Sequence, residues 1–220
     1  MIPTILEILS RSNLPLSLHS ISCAVELNKT TVHGLLATLH ALGYVTKEQH
    51  GYSLGLRFRE LSKPLEQKDE KIRQQFNPLL QKMAQLSNNT AYLAVQSGIQ
   101  EYLYIDAIEQ SNPLTIHSPR GNREGLTTSA IGKVFLALND DLKRTLRRLD
   151  KMPDSLENEL KIVKQQGFAL DLERAERGLN CLAIPLYADG KLAAVAGISG
   201  SATQLTPAKL RHFAQLFLRS

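Results

Sequence analysis

Residues Leu27–Tyr44 read LNKTTVHGLLATLHALGY, and their spacing decides how the first part of the chain is understood. Asn28 is placed to cap a helix through its side chain. Val32, Leu35, Leu36, Leu39 and Leu42 then recur at intervals of three and four and make one apolar face. The opposite face carries Thr30, Gly34, Ala37 and Ala41, flanked by His33 and Thr38. The spacing predicts an amphipathic helix over about Lys29 to Leu42, with a small, mildly polar outer surface, closed by Gly43.

Working outward, Ile2, Ile5, Leu6 and Leu9 lie on one face of an earlier helix. Leu18, Ile21 and Val25 mark a second, with Ser17 as its N-cap. After Gly43, Val45-Thr46 and Tyr52–Leu54 read as short strands around the turn Glu48-Gln49-His50-Gly51. Three helices and a hairpin over residues 1–63 form a winged helix-turn-helix layout. In that layout the third helix enters the DNA major groove. Small outer residues let a helix sit deep there, where Thr30, Thr31 and Thr38 hydroxyls and methyls reach base edges alongside His33 and Gly34. Lys29 and the amides near it suit phosphates. Lys47, His50, Arg57 and Arg59 would form the basic edge of the wing. On spacing alone, a plain core helix and solvated surface arginines are the alternatives.

Pro64 and the charged run EQKDEK at 66–71 read as a solvated connection, a linker helix over 64–77. From 78 to 220 the rhythm changes. Ile72–Leu86 is helical, with Pro78 at a kink or a helix start. Thr90–Val95 and Glu101–Ile108 are strand-like around Ser97-Gly98, and Leu114–His117 reads as another strand. Ser129–Leu138, Asp140–Leu149 and Asp154–Gln166 are helical. Asn180–Tyr187 and Lys191–Ser199 are strands joined at Asp189-Gly190, a two-residue hairpin turn. Thr206-Pro207 opens a last helix. The fold class expected is α+β, with an antiparallel sheet in the second domain.

Composition sets the outer limits. At 220 residues and 43% hydrophobic, the chain is long enough for two modest domains with real cores. A net charge of +5 permits nucleic-acid binding without proving it. No apolar run approaches the roughly 18 residues of a membrane span. The N-terminus lacks a basic n-region and a small-residue cleavage site, so no signal peptide is expected. Two cysteines without metal-ligand spacing fit a reducing cytoplasm, and neither a metal nor a cofactor is expected.

The stretch LNKTTVHGLLATLHALGYV followed by GYSLGLRFREL resembles the IclR-type transcriptional regulators. The resemblance continues through TTSAIGKVFLA, GFALDLERAERGLNCLAIPLY and GISGSATQLTP, in the family's order and over nearly the whole chain. It implies a recognition helix, a wing and a linker helix, then a GAF-like effector-binding domain. It also implies double-stranded DNA with an approximately palindromic site as partner, a small carboxylate effector, and a homodimer or homotetramer. Where relatives usually carry a long polar residue, this chain has Gly34, which costs a helix interior about 1 kcal/mol relative to alanine. The histidine common before the sensor helix is replaced by Thr127-Thr128, and Ser118-Pro119-Arg120 shifts an arginine by one position.

By motif, the resemblance implies that Ala130, Ile131, Asp171, Leu179, Cys181, Gly197 and Ser199 line the effector pocket. Read without it, Thr127–Lys133 opens a helix whose free amides, with hydroxyls beside them, suit an anion. Leu179, Cys181 and Ala183 share one strand face; Gly197 and Ser199 share another. Each also has a structural reading: Cys181 as a buried core thiol, Asp171 as a cap, Gly132 as a packing glycine, Lys133 as a solvated or salt-bridged cation. An enzyme using Cys181 as nucleophile lacks a recognisable Cys-His-acid pattern, with only His117 and His212 in this half. A regulator with weakened DNA contacts, acting through heteromeric assembly, is the second alternative that Gly34 motivates.

Overall fold

A computed structural model describes residues 1–109 and 121–219. The chain divides into two compact units, Met1–Lys68 and Asp69–Ser220.

The first unit holds α1 (Ile2–Ser10), α2 (Leu18–Ala24), α3 (Lys29–Ala41), β1 (Val45–Glu48) and β2 (Gly51–Leu54). Ser17 caps α2 by accepting the Ser20 amide at 3.1 Å, and Asn28 caps α3 by accepting the Thr31 amide at 2.8 Å. One core joins these elements: Ile5 and Leu9 from α1, Ile21 from α2, Val32, Leu36 and Leu39 from α3, Val45 and Tyr52 from the hairpin. The apolar face of α3 is narrower than its spacing suggests. Leu35 is only partly buried, and Leu42, the C-cap, is exposed. Gly43 turns the chain at φ +79°, and its amide closes on His40 O at 3.0 Å. β1 and β2 pair antiparallel from Val45↔Leu54 to Glu48↔Gly51, which leaves Gln49-His50 as the turn.

α4 runs from Arg57 to Ser87 as one 31-residue helix. It therefore extends beyond the 64–77 linker at both ends, and the units divide between 68 and 69 rather than at 63 or 77. Pro64 and Pro78 both lie inside it, so neither marks a helix boundary. Pairs at i,i+3, such as Arg57–Glu60 and Arg73–Glu70, support its charged surface.

The second unit is built on a six-stranded antiparallel sheet, in the order β5-β4-β3-β8-β7-β6. Its strands are β3 (Thr90–Ser97), β4 (Glu101–Ile108), β5 (Arg123–Gly125), β6 (Ala169–Leu172), β7 (Leu179–Ala188) and β8 (Lys191–Ser201). Asp189 and Gly190, at φ 51° and 71°, turn β7 into β8. β5 was not legible beforehand, since Arg-Glu-Gly is too short to show alternation. The expected strand Leu114–His117 lies outside the described residues.

Both faces of the sheet are covered. On one face Ala91, Leu93, Leu182, Ile184 and Ala196 pack against Leu80, Met83 and Ala84 of α4 and against α8 (Pro207–Phe217). On the other, Tyr92, Ala94, Tyr102, Tyr104, Ala183 and Val195 meet α5 (Ala130–Leu138), α6 (Asp140–Arg148) and α7 (Leu156–Gln166). Residues alternate between the two cores along β3 and β8, as a pleated strand requires. No helix among the described residues is long and apolar enough to cross a membrane.

Gly132 seats α5. A Cβ at this position would lie 2.3 Å from the carbonyl oxygen of Leu126, and backbone cannot yield as a flexible side chain does. Gly132→Ala is expected to destabilise the protein by about 1–3 kcal/mol, the usual cost of overpacking. Urea denaturation checks this; an unchanged midpoint would show that α5 is not held by this approach.

Candidate functional site

Two features stand out, one in each unit. The first is the solvent-facing surface of α3. Lys29, Thr30, Thr31, His33, Gly34 and Thr38 are all exposed along it. Thr38 Oγ1 donates to Gly34 O at 3.1 Å. Nothing lies within 4 Å of a Cβ built on Gly34, so this stretch of the helix is open rather than packed. Lys47 on β1 and His50 in the turn are exposed. Arg57, also exposed, starts α4, where its amide reaches Gly43 O at 3.3 Å and its guanidinium pairs with Glu60 at 3.1 Å.

The second feature is a cavity of about 90 Å³ between the start of α5 and the sheet. All seven residues expected in a pocket line it. Ala130 and Ile131 come from α5, Asp171 from β6, Leu179 and Cys181 from β7, Gly197 and Ser199 from β8. Strand register makes this possible: Asp171 pairs with Cys181, Cys181 with Ser199, and Gly197 with Tyr92 of β3. Asp171 is 1% exposed; its two oxygens accept the amides of Arg174 and Ala175 at 3.3 and 3.1 Å. That capping fixes the loop carrying Ala175 and Glu176 at the cavity wall. The Cys181 thiol donates to Ser199 Oγ at 3.2 Å.

Comparison with known proteins gives the family to which the two units belong. Residues 67–220 match the domain described as bacterial transcriptional regulator IclR C-terminal, and residues 4–49 match the IclR helix-turn-helix domain. The chain belongs to the IclR family. This is a family of transcriptional regulators, not of enzymes.

Among its IclR relatives, the HTH-type transcriptional regulator KdgR of Dickeya chrysanthemi is 32% identical over 192 residues, covering 81% of this chain and 62% of KdgR. This chain thus spans less than two thirds of that relative's length. The HTH-type transcriptional repressor AllR of Salmonella typhimurium is 31% identical over 219 residues, 92% of this chain and 79% of AllR. An IclR homologue from Microbacterium hydrocarbonoxydans, crystallised with 4-hydroxybenzoate, superposes with a TM-score of 0.75 at 16% identity, over 99% of this chain and 95% of its own. At that identity the likeness is one of fold.

The IclR motifs did not point to every residue of the cavity. Tyr92, Tyr102, Tyr104 and Glu124 line its β3–β5 side. The strand Glu101–Ile108 was expected, but nothing in its sequence marked Tyr102 and Tyr104 as a cavity wall. Lys133 also departs from expectation. It is 1% exposed, its Nζ bonded to Glu159 at 2.7 Å and to Leu170 O at 3.4 Å, so only the salt-bridge part of its reading describes it. Arg120 lies outside the described residues.

Burial pushes the Cys181 thiol up to about 11; the hydrogen bond with Ser199 offsets part of this, and the charges of Asp171, Glu124 and Glu176 add to it. Tyr92 is raised to about 12, chiefly by burial. A buried, protonated thiol is a poor nucleophile. The thiol holds its proton more firmly in the folded state than at its ordinary 9.0. Its contribution to stability is therefore intact below pH 9 and is lost as pH rises towards 11. Thermal melts across that window are expected to fall, and to fall less in Cys181→Ala. At neutral pH, iodoacetamide is expected to label exposed Cys23 well before Cys181; mass spectrometry showing the reverse order would contradict this assignment.

Proposed function

We propose that this chain is a ligand-responsive DNA-binding transcriptional regulator, acting as a repressor of a catabolic operon. The observation that carries the proposal is the exposed, small-residue surface of α3, capped by Asn28 and flanked by Lys29, Lys47, His50 and Arg57. Thr30, Thr31, His33 and Thr38 read base edges, while the basic groups and the amides at the start of α3 hold phosphates. A homodimer or homotetramer presents two such helices to half-sites of an approximate palindrome, roughly 34 Å apart for one helical turn. Repression is supported by the similarity to AllR, a transcriptional repressor.

The cavity beneath α5 takes a small carboxylate. The first amides of α5 suit an anion, and the Microbacterium homologue was crystallised with an aromatic acid. At about 90 Å³ the space is smaller than the roughly 150 Å³ cavity that accepts benzene, which favours a short acid. The acid controls DNA affinity by binding two states of the sensor unequally. The protein works in the cytoplasm, where its two free cysteines stay reduced.

Titration of labelled upstream DNA at several salt concentrations tests the reading. Affinity for the operator is expected well above the nonspecific level of about 10⁻⁴–10⁻⁶ M, with a steep fall as salt rises. Binding that stays at the nonspecific level would instead favour a regulator with weakened DNA contacts. Thr30→Ala with His33→Ala is expected to weaken operator binding while leaving binding to the acid intact. Ser199→Ala is expected to blunt the response to the acid while DNA binding survives; an unchanged response would remove Ser199 from the site.

A further inference from the structure

The β4–β5 end of the cavity has a hydrogen-bond polarity of its own. The Tyr102 hydroxyl donates to the Glu124 carboxylate. A phenol has one hydrogen, so in the 3.1 Å contact between the hydroxyls of Tyr102 and Tyr104 the donor is Tyr104. The hydroxyl hydrogens of Tyr104 and Tyr102 therefore both run towards Glu124. Burial raises both phenols above their ordinary value and keeps those hydrogens in place.

For a ligand, this end retains acceptors: lone pairs of Tyr104 and the second oxygen of Glu124. No lysine, arginine or histidine is among the described residues lining the cavity. The other end differs. Asp171 is committed to two loop amides, and the Cys181 thiol donates to Ser199, which leaves the Ser199 hydrogen free for a ligand. Glu124 is on β5 and Asp171 on β6, the two edge strands of the sheet, and both line the cavity.

We infer that Glu124 and Tyr104 set effector specificity: they select a monocarboxylate of roughly three or four carbons whose remote end carries a hydroxyl donor, and they reject dicarboxylates. This rests on the reading of the cavity as a carboxylate site. A remote hydroxyl donates to Glu124 or Tyr104. A remote carboxylate would meet the Glu124 carboxylate and the lone pairs of Tyr104, so that like charge faces like. A remote methyl would leave the acceptors unpaired.

Isothermal titration of the full chain with 3-hydroxypropanoate, malonate and propanoate tests the inference. The wild type is expected to bind 3-hydroxypropanoate at least about tenfold more tightly than either other acid. In Glu124→Gln the amide supplies a donor and removes the charge, so the gap to malonate is expected to close to within about threefold. Tyr104→Phe is expected to weaken 3-hydroxypropanoate and leave propanoate unchanged. Equal binding of all three acids by the wild type, or a full tenfold gap retained in a folded Glu124→Gln variant, overturns the specificity while sparing the carboxylate reading. No binding of any of the three overturns both.

Discussion

The close approach of Gly132 to the backbone of Leu126 orders much of the second unit. With no side chain in the way, the first turn of α5 settles onto the segment leading into it. The next residue, Lys133, is thereby carried into the interior, where a bare ammonium would be costly. Glu159 of α7 meets it, and the other oxygen of the same carboxylate holds Arg174 at 2.9 Å. The backbone amide of Arg174 is in turn held by Asp171. One steric allowance thus ties two helices, an edge strand and the loop over the cavity into a connected polar network. A buried pair of this kind fixes arrangement more than it adds stability.

The cavity follows from the same arrangement. Protein interiors are close-packed, so an opening among core residues needs a cause. Here the sheet presents small or short side chains under the start of α5: Gly197, Ser199 and Cys181, with Ala130 facing them. Gly197 is already tight, since a Cβ there would lie 3.0 Å from Leu182 O and 3.2 Å from Ile131. Larger residues at these positions would fill the space. The surrounding tyrosines supply bulk at the wall and polarity at the tip.

Much of the fold was legible in the chain. Periods of three and four, the caps Ser17 and Asn28, and the Asp189-Gly190 turn are local signals, and local geometry obeyed them. The boundary at α4 was not legible. The apolar stripe of α4, through Ile72, Phe76, Leu80 and Met83, is confined to its second half; the charged first half has no pattern to show where one unit stops, and the two prolines sit inside the helix instead of ending it. Leu42 and Lys133 misled in opposite directions: the leucine is a cap in solvent, the lysine a core residue. In each case burial depends on what packs opposite, which no single segment states.

For the cavity, motif likeness named seven residues that the sheet brings together, although they come from four separate elements. Tyr92, Tyr102, Tyr104 and Glu124 carried no motif, because a hydroxyl becomes part of a site only through its partners. By itself the sequence determined the helices, the turns, the family and the small outer face of α3, all of which rest on neighbours along the chain. Only the tertiary structure decided which polar groups converge and which way their hydrogens point. Those properties depend on strand register and on the seating of α5, contacts between residues far apart in sequence.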